Sequence, residues 1–231
     1  MADIILVVAA HPDDEVLGCG GTIAAHVSKG DSVNVLIMAE GITSRDNTRK
    51  IELRDNELEN LAGSAKKAND ILGVQSLTLL SYPDNRMDSI NRLDVIKSIE
   101  QYIDKFEPSV VYTHSRTDLN VDHRVINDAV MAACRPLPNS RVNQILFFEV
   151  ASSTGWNGME GNSTFSPNWY VDISGTLGKK TEALGAYSSE MRDWPHARSL
   201  DALKNLAKWR GASVGIDAAE AFYLARNIIR K

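Results

Sequence analysis

Ile4-Ile5-Leu6-Val7-Val8-Ala9-Ala10 is an unbroken apolar run rich in β-branched residues, and His11-Pro12-Asp13-Asp14-Glu15 follows it without a spacer. Such a run, with no polar alternation, predicts a strand buried on both faces, the habit of strands in parallel sheets. Residues 17–27 continue with a helical pattern closed by Lys29-Gly30, and residues 32–38 read as a second strand. Residues 40–47 are polar and read as a loop. Residues 51–72 carry Leu53, Leu58, Leu61, Ala65, Ala68 and Leu72 at helical spacing, and Gly73 stands where a left-handed cap is wanted. A third strand is expected at 76–80, turn chemistry at Tyr82-Pro83-Asp84-Asn85, a helix at 93–106, a fourth strand at 109–113 and a helix at 123–134. This β-α-β-α alternation predicts an α/β fold with a mostly parallel, Rossmann-like sheet covered by helices on both faces.

The second half is less regular. Residues 144–150 and 169–173 read as strands, 200–210 as a helix and 219–224 as a late strand or extended piece. Residues 151–167 are rich in Ser, Gly and Asn, a long loop of the kind that often carries function. No repeat and no low-complexity linker interrupts the chain. At roughly 150 residues per domain, 231 residues suit one domain. Residues 1–135 would form its Rossmann-like core and residues 136–231 its added strands, helices and substrate loops.

Composition excludes several classes. With 43% hydrophobic and 24% charged residues, the chain is neither disordered, collagen-like nor a coiled coil. Its 25 basic and 30 acidic residues leave a net charge of −5, so the electrostatic footprint of a nucleic-acid binder is missing. Cys19 and Cys134 belong to no CxxC pair, which argues against a disulfide framework and for a reducing compartment. The N-terminal apolar run lacks a basic flank and is too short to span a bilayer, so a cytoplasmic location is expected.

Ligands in open parallel sheets bind at the carboxyl ends of the strands. Two polar clusters fall there: His11 to Glu15 after the first strand, and His114-Ser115-Arg116-Thr117-Asp118-Leu119-Asn120-Val121-Asp122-His123 after the fourth. Each alone reads as an ordinary loop or helix cap. Together they supply two imidazoles and a carboxylate, a set suited to Zn²⁺ or a similar divalent ion, plus a spare carboxylate for general-base work.

Ala10-His11-Pro12-Asp13-Asp14-Glu15 with Leu17-Gly18-Cys19-Gly20-Gly21, and the distant Asn120-Val121-Asp122-His123-Arg124, resemble the signature of the LmbE-like, or PIG-L, zinc-dependent de-N-acetylases. The likeness continues through Arg54-Asp55-Asn56-Glu57, Tyr82-Pro83-Asp84, Arg198-Ser199-Leu200 and Ala219-Glu220-Ala221-Phe222. It implies a hydrolase that removes the N-acetyl group from an N-acetylglucosamine-type amino sugar or conjugate. His11, Asp14 and His123 would hold zinc, and Asp13 would act as general base on the attacking water. It also implies a small-molecule partner and an assembly of copies. Some members carry His where this chain has Asn120, which leaves the residue that polarises the carbonyl open.

Other candidates keep two readings each. Arg54 either contacts substrate or pairs with Glu57, three residues on along the same helix face. Asp122 either orients a neighbouring group or caps the helix beginning near His123. His114 is either a supporting residue of the site or a satisfied strand-end histidine. Ser44, Arg45 and His196 are weaker candidates near the mouth, and Trp156 and Trp169 either stack on a sugar or belong to the core. His26 is expected on a helix surface, Cys19 as a small buried residue, and the glycines around it as close packing. Two rival functions remain: a metal-independent glycoside hydrolase using Asp13 and Asp14, which leaves the histidines idle, and a non-catalytic sugar-binding protein of the same fold.

Overall fold

The structure, a computed structural model, describes residues 2–157 and 164–229. Its strands are β1 (Ile4–Ala9), β2 (Ser32–Ala39), β3 (Ser76–Tyr82), β4 (Val110–His114), β5 (Gln144–Phe148), β6 (Trp169–Asp172) and β7 (Ala219–Asn227). Its helices are α1 (Asp14–Ser28), α2 (Asp55–Leu72), α3 (Arg92–Phe106), α4 (Val121–Ala133), α5 (Leu177–Ala186) and α6 (Leu200–Ala212). The strands form one sheet in the order β3-β2-β1-β4-β5-β7-β6. β1 to β5 are parallel, and at one edge β7 runs against them, pairing antiparallel with both β5 and β6.

The apolar run of β1 is buried on both faces. Ile5, Val7 and Ala9 face a core shared with α1, α2 and Tyr187, while Leu6, Val8 and Ala10 face one shared with α3 and α4. A layer of helices therefore covers each side of the sheet, as the β-α alternation predicts. No helix among the described residues is long and apolar enough to cross a membrane.

Some boundaries differ from expectation. Residues 51–72 are not one helix: Ile51–Leu53 is a single 3₁₀ turn, and α2 begins at Asp55 because Arg54 leaves helical geometry at φ −123°, ψ 8°. Gly73 ends α2 at φ 82°, the left-handed cap expected there. α5 has no counterpart in the sequence reading. It contains Gly178 and Gly185 and starts at Thr176 without a side-chain cap, so its local signal is weak. Of the loop at 151–167, residues 158–163 lie outside the described residues.

Helix α1 breaks at Cys19, whose backbone is non-helical at φ −145°, ψ 23°. The break exposes N–H groups of the next turn, and those of Gly21 and Thr22 donate to the Glu220 carboxylate of β7 at 3.0 and 2.7 Å. Lys180 of α5 neutralises that carboxylate at 2.5 Å and donates to the Leu17 carbonyl at 2.9 Å. The stretch can lie this close to its neighbours because it is glycine-rich. A Cβ at Gly21 would meet the Ile173 side chain at 2.8 Å, and one at Gly18 would overlap the Phe148 ring. Removing one member of a buried ion pair strands the other. Lys180→Met is therefore expected to cost about 3–5 kcal/mol in denaturant unfolding, and Lys180→Met with Glu220→Gln to recover part of it. A single variant as stable as the parent would contradict this role.

Candidate metal centre and active site

β1 and β4 lie side by side where the strand order changes direction, so the loops after Ala9 and His114 meet over their carboxyl ends. The first loop bends sharply. Asp13 adopts φ 121°, ψ −29°, a conformation that non-glycine residues rarely hold without outside support. Support comes from its own neighbours. The Asp13 carbonyl accepts the N–H groups of Val16 and Leu17 at 3.1 and 2.8 Å, which starts α1. Its N–H donates to the buried Glu15 carboxylate at 3.2 Å. Glu15 is fixed in turn by the Tyr187 hydroxyl at 2.6 Å and the Asn69 amide at 2.9 Å.

His11, Asp14 and His123 each present one ligand atom, and these atoms lie within 4.8 Å of one another. Asp14 Oδ2 is 3.1 Å from both His11 Nδ1 and His123 Nε2. The far nitrogen of each ring is held by carboxylates: His11 Nε2 by Asp122 at 3.0 Å and Asp84 at 3.2 Å, and His123 Nδ1 by Asp118 at 3.1 Å. Histidines that bind metals are usually anchored this way through the second nitrogen. Asp14 Oδ1 and His123 Nε2 are buried with no hydrogen-bond partner among the described residues. Two orphaned acceptors at one centre are what a divalent cation would satisfy, so the donor set fits zinc or a similar metal. His11, Asp84 and Asp122 form a second possible group. It shares His11 with the first, and both Asp122 oxygens already accept backbone N–H groups, from Asn85 at 2.6 Å and Met87 at 3.0 Å.

Protonation follows from these neighbours. Burial alone would push Asp14 up, but the charge on His123 and the hydrogen bond from His11 outweigh it and hold the carboxyl well below the usual range. Burial would lower His11 and His123, yet the carboxylates around them win. His11 is raised well above its ordinary value and His123 to about 9, so a metal ion would bind here by displacing a proton from each ring, which frees His123 Nε2 as an acceptor. Asp13 goes the other way. Burial raises it well above an ordinary carboxyl, Arg198 opposes, and the charges of Asp14 and Glu15 add to the rise. A carboxylate whose proton affinity is raised in this way is a stronger base than an ordinary one.

Glu15 is raised by burial from 4.5 to about 7, against the hydrogen bonds it accepts. The folded state thus favours its protonated form. The stability this contributes is present below about pH 4.5 and is lost as pH rises through about 7. Glu15→Gln stays neutral throughout, so its unfolding free energy is expected to fall less than the parent's over that window, the gap amounting to roughly 3 kcal/mol in denaturant unfolding. Parallel profiles would contradict the burial of an ionisable group there.

His114 is a wall of the site. The Ala10 N–H donates to its Nε2 at 2.8 Å, which makes that nitrogen an acceptor and the ring neutral. Burial holds its pKa well below the ordinary value, and the ring stacks on His123 at 3.8 Å. Asp122 does not cap α4. The helix begins at Val121, and Asn120 caps it, accepting the Asp122 N–H at 2.8 Å. The Asn120 amide also donates to Asn85 at 2.8 Å. Arg54 makes forked pairs with Asp46 at 2.9 and 3.0 Å and with Glu57 at 2.7 and 2.8 Å. Arg45 pairs with Glu190, and the Ser44 N–H donates to Asp84. His26 is not a free surface group, since it contacts Asp31 at 2.7 Å and the Tyr112 hydroxyl at 2.9 Å. Cys19 is fully buried, with its thiol pushed well up by burial.

Three contributors had no assigned role in the sequence reading. Arg198 Nη1 donates to Asp13 Oδ2 at 3.0 Å across 185 positions of sequence, a contact no local pattern announces. Asp84 and Asp118 stood in turn and loop chemistry, where a carboxylate is unremarkable.

The family model described as PIG-L, GlcNAc-PI de-N-acetylase, matches residues 6–134, more than half of the chain, a stretch that includes His11, Asp13, Asp14 and His123. The chain belongs to the PIG-L family. Among its relatives is the uncharacterized deacetylase YaiS of Escherichia coli, 33% identical over 154 residues, 64% of this chain and 75% of that protein. A probable N-acetyl-alpha-D-glucosaminyl L-malate deacetylase 2 of Bacillus anthracis is 25% identical over 195 residues, 80% of each chain. The crystal structure of a conserved protein from Thermus thermophilus, TT1542, superposes with a TM-score of 0.77 at 26% identity, covering 100% of this chain and 98% of that one. This PIG-L chain thus shares its fold with a solved structure along its full length.

Proposed function

We propose that the chain is a metal-dependent amide hydrolase that removes the N-acetyl group from an N-acetylglucosamine-type amino sugar or its conjugate. One observation carries this reading: a three-residue donor set with orphaned acceptors lies beside a separate buried carboxyl, Asp13, whose proton affinity is raised. The named activities of relatives, deacetylation of N-acetylated glucosamine conjugates among them, support the substrate class.

His11, Asp14 and His123 would hold zinc or another divalent transition metal. That ion would supply Lewis-acid polarisation of the amide carbonyl and lower the pKa of a bound water. Asp13 takes the proton from the attacking water and returns it to the nitrogen that leaves as free amine, with acetate as the second product. Arg198 fixes the Asp13 carboxylate from one side, and Glu15 fixes its backbone from the other. Asp84 and Asp122 orient His11, and Asp118 orients His123. Asn120 stands at the wall of the adjoining cleft, where its amide is a candidate donor to the carbonyl oxygen. Arg54 acts through Asp46, holding the loop that precedes α2.

Primary-amine release from a panel of N-acetylglucosamine conjugates, with metal-loaded and chelated protein side by side, tests this. Release from at least one conjugate that stops on chelation is expected. Release that survives complete metal removal would overturn the metal-dependent reading.

A further inference from the structure

Asp13 needs outside support at φ 121°, and the turn that follows α5 reaches it by two routes. The first runs through Tyr187, whose hydroxyl donates to Glu15 at 2.6 Å, while Glu15 accepts the Asp13 N–H at 3.2 Å. The second starts three residues on. The Glu190 N–H donates to the Tyr187 carbonyl at 2.8 Å, which closes the turn. The Glu190 carboxylate then lies 3.9 Å from Arg198 Nη1, the same nitrogen that donates to Asp13 at 3.0 Å.

Glu190 is itself firmly placed. Its side chain is 9% exposed. It accepts Arg45 Nη2 at 2.8 and 3.0 Å and the Ser189 hydroxyl at 3.3 Å. Asp13, Arg198, Glu190 and Arg45 thus form a row of alternating charge. The far end of the row is anchored at the metal centre. Arg45 ends the 3₁₀ turn Thr43–Arg45, whose Ser44 N–H donates to Asp84 at 3.0 Å, and Asp84 is 3.2 Å from His11.

Arg198 has use for such a brace. Its backbone is held, since its N–H donates to His196 Nδ1 at 3.0 Å and its carbonyl accepts the Arg192 N–H at 3.4 Å. Its side chain stands in the wall of an open cleft, where a long arginine loses its rotamer freedom only to contacts made by the guanidinium. Those contacts are Asp13, the Ser152 hydroxyl at 3.0 Å and Glu190. We propose that Glu190 is a positioning residue, which holds the Arg198 guanidinium against Asp13 and thereby keeps the Asp13 carboxylate aimed at the attacking water. As a claim about the base of the proposed hydrolysis, this rests on the deacetylase reading.

Glu190→Gln keeps the shape of the side chain and removes the charge between the two arginines. In metal-loaded full-length protein it is expected to lower kcat by about tenfold to a hundredfold, the scale on which a small misplacement of a reacting group costs rate. KM and metal content are expected to stay near the parent's. Glu190→Asp, charged but one methylene short, is expected to recover part of the loss. In an Arg198→Met background, Glu190→Gln is expected to cost little more, because its effect passes through Arg198. A residue that only stabilised the fold would cost the same factor in both backgrounds. Solvent exchange of the Arg198 Nε–H, followed by NMR, is expected to quicken in Glu190→Gln, and this readout needs no turnover. Parent-like kcat in Glu190→Gln, equal losses with and without Arg198, or unaltered exchange would each overturn the proposal, while amine release by the parent still supports a deacetylase. Quickened exchange in a protein whose parent releases no amine would instead uphold the hold of Glu190 on Arg198 and overturn the deacetylase reading.

Discussion

Asp13→Asn is expected to keep its metal and to lose about 10²–10⁴-fold in kcat. The substitution is chosen for its geometry. Asp13 sits at φ 121°, and asparagine is among the few residues that tolerate positive φ, so the turn into α1 survives. The amide oxygen still accepts a hydrogen bond from Arg198, which reaches the carboxylate at 3.0 Å in the parent. What the variant lacks is a site for the proton. Metal content by elemental analysis separates this loss from a damaged donor set. A fully metallated variant with the parent's rate would remove Asp13 from the base role.

His123→Ala is expected to abolish stable metal binding and, with it, turnover. His123 contributes one of three donor atoms, and its Nε2 is one of two orphaned acceptors at the centre. The substitution also leaves Asp14 and Asp118 without the imidazole between them. Its effect on metal affinity is expected to exceed the roughly 10–100-fold typical of losing a partner behind a ligand. Asp118→Asn supplies that comparison, because Asp118 touches His123 Nδ1 and is outside the donor set. Equal metal retention in the parent and His123→Ala after dialysis would dismiss His123 as a ligand.

Much of this architecture is legible because β1 announces itself. A strand apolar on both faces demands helices above and below, and the regular alternation up to Cys134 leaves few ways to arrange them. The convergence of His11 with His123 follows from β1 and β4 being neighbours, which doubly wound topology favours. Contacts whose partners lie far apart in sequence behave differently. Nothing near Arg198 indicates that it reaches Asp13, and nothing near Glu220 indicates that it caps a break in α1. Helix α5 carries two glycines and no side-chain cap, so tertiary contacts such as Lys180 with Glu220 define it more than propensity does. Asp122 shows how two local rules compete. An acidic residue at a helix start reads as a cap, but Asn120 takes that place two residues earlier and frees the carboxylate to turn inward onto His11.

The most direct measurement of the central claim is turnover of an N-acetylated amino-sugar glycoside by metal-loaded protein in heavy-oxygen water, with both products analysed by mass. Hydrolysis of the amide by enzyme-activated water predicts free amine and acetate in equal amounts, the heavy atom in the acetate and none in the sugar. Label at the sugar's anomeric hydroxyl with the N-acetyl group intact would instead show cleavage of the glycosidic bond, and would contradict the assignment of Asp13, His11, Asp14 and His123 to amide hydrolysis.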